Sequence, residues 1–137
     1  MMVPKFRAWD KKTKEYFHVS ELWNSGTDPD NFEFDGWTDN FGSKGRLKDI
    51  VIEQSTGLKD ANGKEIYEGD VVHFRSDCLS GLGIVKWNET GGAWEVEDIR
   101  SRTNKRGHRI YPIYPQAKYR IDGNVHENPE LLEAQHD

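Results

Sequence analysis

Cysteine is nearly absent. Cys78 is the only one in 137 residues, which excludes an internal disulfide and any zinc site built from several thiolates. Long apolar runs are missing as well: nothing approaches the ~20 residues a membrane-spanning helix requires. The opening Met-Met-Val-Pro-Lys-Phe-Arg-Ala-Trp lacks the apolar core of a signal peptide. An excess of positive charge is missing too. The formal net charge of −5 speaks against indiscriminate binding to nucleic acid or anionic membrane. The expectation is a soluble, cytoplasmic protein with no membrane association.

Aromatic residues are abundant: five Trp, five Tyr and six Phe make up 12% of the chain, against 34% hydrophobic and 31% charged residues. Such rings bury large areas from few positions, so a polar chain of this length can still build one domain with a single core.

Short alternating segments dominate. Lys5-Phe6-Arg7-Ala8-Trp9 and Tyr16-Phe17-His18-Val19 flank a polar turn and predict a hairpin, with Ser20 placed to cap a short helical turn through Leu22-Trp23. Residues 24–46 are rich in Gly, Asp, Asn and Ser but carry Phe32, Phe34, Trp37 and Phe41, which reads as a partly ordered insertion. Ile50-Val51-Ile52 favours a central strand. Asn62-Gly63 is the best turn signal, since both residue types tolerate positive φ. Gly69 breaks the chain before Val71-Val72-His73-Phe74. Leu82–Trp87 and Ala93–Val96 predict a second hairpin, and Tyr119–Gly123 a last strand. Asn128-Pro129 is a helix-start signal, with Leu131 and Leu132 as its docking residues.

Strands at roughly ten-residue spacing without a long helical pattern point to a small barrel or sandwich. The expected fold is β-dominated α+β within a single domain over 1–137. An N-terminal hairpin and insertion subdomain (1–63) precedes an SH3-like barrel (roughly 64–124), which a short C-terminal helix follows (64–137 in all).

Three segments, Lys-Phe-Arg-Ala-Trp-Asp (5–10), Thr-Gly-Leu-Lys-Asp-Ala-Asn-Gly-Lys-Glu-Ile-Tyr-Glu-Gly-Asp-Val-Val (56–72) and Gly-Asn-Val-His-Glu-Asn-Pro-Glu-Leu-Leu (123–132), occur in an order that resembles the YopX family of bacteriophage and prophage proteins. They bracket nearly the whole chain. The resemblance implies a phage or prophage origin and a bacterial host cytoplasm, but no activity and no catalytic residues come with it. The insertion at 24–46 and the basic stretch at 100–109 depart from the family pattern.

Chemistry-bearing constellations are sparse. Asp60-x-Asn62-Gly63-x-Glu65 fails the calcium-loop spacing, which puts glycine sixth and a glutamate twelfth; a turn followed by a strand fits it better. Glu65, Glu68 and Asp70 read as solvated turn acids, with Asp70 placed to bond the local backbone. His18, His73, His108, His126 and His136 have no ligand spacing, and Cys78 has no neighbouring base. No metal, cofactor or catalytic residue is assigned, and the expectation leans away from an enzyme. A dispersed site of Asp70, His73 and Asp77 is the enzymatic alternative.

One charge asymmetry stands out. Residues 100–120 hold seven basic side chains and no acid, net +7, while the other 116 residues carry 12 basic and 24 acidic ones, net −12. Arg100, Arg102, Lys105, Arg106 and Arg109, with Tyr111 and Tyr114 interleaved, match what a single-stranded nucleic-acid groove uses; a solvated loop matches them as well. The expected function is a non-enzymatic binding module for a protein or single-stranded nucleic acid. The other reading is a homo-oligomeric assembly protein using Phe32, Phe34, Trp37 and Phe41 as contacts.

Overall fold

A computed structural model describes residues 5–31, 33–76, 80–99, 109–113 and 118–132. By internal contacts the chain divides into two compact units, residues 1–54 and 55–137.

The first unit is an antiparallel sheet. β1 (Phe6–Asp10) turns into β2 (Glu15–Trp23), followed by β3 (Gly36–Asp39), β4 (Lys44–Arg46), a 3-10 turn (Leu47–Asp49) and the start of β5 (Ile50–Lys59). Spatially the order is β4-β3-β2-β1-β5. The β1–β2 turn is braced by Asp10, whose Oδ1 accepts from the Lys12 and Thr13 backbone N–H groups at 2.8 and 3.1 Å.

Ala8, Trp9 and Ile50 are buried here, as is Glu53. Glu53 Oε1 accepts from Arg7 Nε and Tyr16 Oη, both at 2.9 Å, and the Arg7 guanidinium lies 4.5 Å from the Tyr16 ring centre. The buried carboxylate thus has both a countercharge and donors, the condition under which such a group is tolerated. Two tryptophans lie over glycines on the neighbouring strand, Trp23 over Gly36 and Trp37 over Gly45. A Cβ at either glycine would overlap the ring.

In the second unit the later part of β5 pairs with β6 (Glu65–Tyr67). A five-stranded antiparallel sheet follows, of β7 (Asp70–Arg75), β8 (Ser80–Asn88), β9 (Ala93–Asp98), β10 (Ile110–Pro112) and β11 (Lys118–Asn124), in the order β10-β9-β8-β7-β11. Both faces of this sheet carry core. Ile66, Val72, Phe74, Val85, Val96 and Tyr119 cluster on one side, and Val71, Ile84 and Ile99 on the other.

The expected hairpins form, but four expectations need correction. The architecture is nearly all β rather than α+β. The predicted SH3-like barrel is an open sheet: β10 and β11 are its two edges, with no pairing between them among the described residues. Strand spacing does not encode closure, which depends on how edges meet; β10 has only three residues, and its Pro112 has no N–H to extend a ladder. The predicted C-terminal helix is a four-residue 3-10 turn, Pro129–Leu132, too short to offset the cost of nucleating an α-helix. The helical turn expected after Ser20 is likewise absent, because β2 continues to Trp23 against β3.

Candidate functional site

The long central motif builds structure. Asp60 is 8% exposed, and its Oδ1 accepts from the backbone N–H groups of Asn62 and Lys64, both at 2.9 Å. Its Oδ2 accepts from the Ile121 N–H at 3.1 Å, and the Ala61 N–H donates to the Tyr119 carbonyl at 2.8 Å. Burial pushes the Asp60 carboxyl up, but these three N–H donors and the nearby Lys64 charge outweigh it, and its pKa lies below 3.8. Gly63 supplies the positive φ, +83°; Asn62 does not share it, so the carboxylate brace replaces the two-residue turn read from Asn-Gly. Asp70 is buried rather than solvated as expected, and it accepts from the Tyr67 N–H at 2.8 Å, the backbone bond expected of it.

Asp70 and His73 are three apart on β7, whose pairing with β8 is regular, so they point to opposite faces and do not converge. Asp77 lies outside the described residues, as do Cys78, Arg100, Arg102, Lys105, Arg106, Tyr114 and Phe32. Arg109 is exposed, and its carbonyl accepts from the Asp98 N–H at 2.9 Å. The Tyr111 ring is 5.7 Å from that of Phe74 and packs against the core of the second unit. Part of its surface is therefore committed to packing.

The insertion yields more. Phe34 is 56% exposed and Phe41 93%, whereas Trp37 is half-buried, with its ring centre 4.7 Å from that of Phe17. The Trp37 indole N–H donates to the Arg46 carbonyl at 3.2 Å, which ties β3 to β4. Around this pair run two neighbouring cavities of about 430 and 440 Å³. Lys11, Lys12, Trp37 and Asp49 line the first, Phe34, Asp35 and Leu47 line the second, and Arg46 and Lys48 line both.

The four basic side chains of this trough are exposed. Its acids are partly engaged. Asp10 braces its turn, and the Asp35 carboxylate accepts from the Ser25 hydroxyl at 2.6 Å and backbone N–H at 2.9 Å, leaving it 3.9 Å from Arg46. The Ser25 donors and the Arg46 charge hold the Asp35 carboxyl below its ordinary value.

The sequence marks Phe34 and Trp37 only as self-assembly contacts, and Lys11, Lys12, Arg46 and Lys48 are not marked at all. The run Lys44-Gly45-Arg46-Leu47-Lys48 was a visible signal. That the β1–β2 turn joins it follows only from the sheet order. Among the described residues no helix is long and apolar enough to cross a membrane.

These features define a small all-β protein of open antiparallel sheets, with an aromatic, mainly basic trough on the first unit. Residues 5–133 match the YopX protein family, and the chain belongs to it. Its fold is similar to the crystal structure of protein EF1440 from Enterococcus faecalis, at 25% identity and a TM-score of 0.62, covering 96% of this chain and 99% of that one. No curated protein matches the chain.

Proposed function

We propose that this YopX-family chain is a non-enzymatic phage or prophage accessory protein that acts by binding a protein or single-stranded nucleic acid. Phe41 carries this reading. It sits in the β3–β4 turn, where Asp39 Oδ1 accepts from the Phe41 and Ser43 N–H groups, both at 2.9 Å, and Gly42 takes a φ of +86°. The turn is braced, yet the ring it presents is 93% exposed. A rigid support holding a large apolar side chain in water favours association, because little freedom remains to be lost on binding.

The test is capture of partners from prophage-induced cells by the wild-type chain and by Phe41→Ser, with and without nuclease. A partner recovered by wild type and lost with Phe41→Ser supports the reading. Equal recovery by both proteins contradicts the assignment to Phe41. Loss on nuclease treatment identifies a nucleic-acid partner.

The same exposed rings, Phe34 and Phe41, favour a second reading, self-assembly. Light scattering separates the two: a wild-type oligomer that Phe41→Ser converts to monomer supports assembly, and a wild-type monomer at high concentration removes it.

A further inference from the structure

We propose that the trough on the first unit binds one step of a single-stranded nucleic acid, with the linking phosphate at Arg46 and Lys48 and a base in each flanking cavity. This deepens the binding-module reading and rests on it. The arrangement has the order such a ligand needs. Arg46 and Lys48 line both cavities, so the positive charge lies where they meet, and an aromatic residue lines each one, Trp37 the first and Phe34 the second.

Each cavity is within the ~300–1,000 Å³ range of small-molecule sites. Lys11 and Lys12 add charge beside Trp37, with Lys11 Nζ donating to the Lys48 carbonyl at 3.1 Å. Cation and aromatic together are the two components of single-strand recognition, the first holding the backbone and the second offering a surface to the base. Asp10, Asp35 and Asp49 are also in the lining. The carboxylates can accept hydrogen bonds from the amino and imino groups of bases while Arg46 and Lys48 balance a phosphate, so the alternation of base and phosphate matches the alternation of charge along the trough.

This assigns the contact to residues other than the basic stretch at 100–120 and makes the two distinguishable. The experiment is a fluorescence-anisotropy titration of the full chain with a labelled oligothymidylate of roughly ten nucleotides across a salt series. Thymidine monophosphate and heparin serve as competitors. With the linking phosphate at Arg46 and Lys48 and the flanking phosphates of the oligomer met by Lys11 and Lys12, about three phosphate contacts predict a log–log salt slope near −2. Arg46→Glu/Lys48→Glu is expected to weaken binding at least tenfold and Phe34→Ser about fivefold or more, while Arg109→Glu leaves it within about twofold. All four positions are exposed, and unchanged thermal melting confirms that the variants fold.

Four results overturn the proposal: no binding at low salt; loss on Arg109→Glu but not on the trough variants; heparin competition with no effect of Phe34→Ser, which is mere polyanion attraction; or equal affinity for the monophosphate and the oligomer. In each of these cases a nuclease-resistant protein partner captured through Phe41 would still support the binding-module reading, so the two can fail separately.

Discussion

Asp60 Oδ2 and the backbone N–H of Ile121 are joined at 3.1 Å across 61 positions of sequence. The bond ties the central motif's turn to β11, while the other oxygen of the same carboxylate organises the turn itself. Asp60→Ala removes the acceptor for three backbone donors and is expected to destabilise the second unit by about 3 kcal/mol; Asp60→Asn, which keeps one acceptor oxygen, by about half that. Urea denaturation measures both.

The same carboxyl makes stability depend on acid. Its folded pKa lies below 3.8, so its contribution is fully present above the unfolded pKa and is lost as pH falls through the folded one. Asp10, held low by the Lys12 and Thr13 N–H groups, acts in the same direction. Thermal midpoints are expected to fall as pH drops below about 4, and to fall less steeply in Asp60→Asn. Parallel pH profiles for the two proteins would show Asp60 to be a minor contributor.

Arg7 and Glu53 form a 2.9 Å ion pair with side chains only 15% and 4% exposed. Arg7→Met removes the countercharge of a buried carboxylate and is expected to cost the first unit about 3 kcal/mol, while Arg7→Met/Glu53→Leu recovers part of that loss. A double-mutant cycle by denaturant unfolding measures the coupling, and strict additivity would show that the pair is not coupled.

Much of this framework is legible from residue order. Lys5–Trp9 and Tyr16–Val19 alternate, and they pair as Trp9 with Tyr16 and Ala8 with Phe17. The Asn88–Gly92 turn and its flanking strands are equally plain in the sequence. What was hidden is long-range. Nothing local to Asp60 announces Ile121, so its motif reads as a turn followed by a strand. Trp37 looks like spare aromatic surface because its use, packing over Gly45 on the next strand, requires the β3–β4 register. Closure of the second sheet is illegible for the same reason, since edges find partners through topology and not through periodicity.

Gly36 and Gly45 follow from that register. Alanine at either position meets a tryptophan ring, and Gly36→Ala is expected to destabilise the first unit by about 1–3 kcal/mol, with a change in tryptophan emission. Gly42→Ala lacks that clash but meets the positive φ instead, so its cost of about 1 kcal/mol should come without a change in emission.

Phe41→Ser is expected to change stability by less than about 0.5 kcal/mol, as for exposed positions without special contacts. A thermal melt indistinguishable from wild type, combined with lost partner capture, separates the ring's association role from any folding role. Marked destabilisation would show that Phe41 serves the fold.

The chain's labour is divided. The Asp60 motif holds structure, and the Arg46–Lys48 trough makes contact. Amide and indole chemical shifts followed by NMR during an oligothymidylate titration test this division most directly. Shifts concentrated at Lys11, Lys12, the Trp37 indole and Gly45–Lys48, with residues 60–72 unmoved, are the predicted result. Shifts centred on 60–72 or on Arg109–Tyr111, or no shifts at low salt, would contradict it.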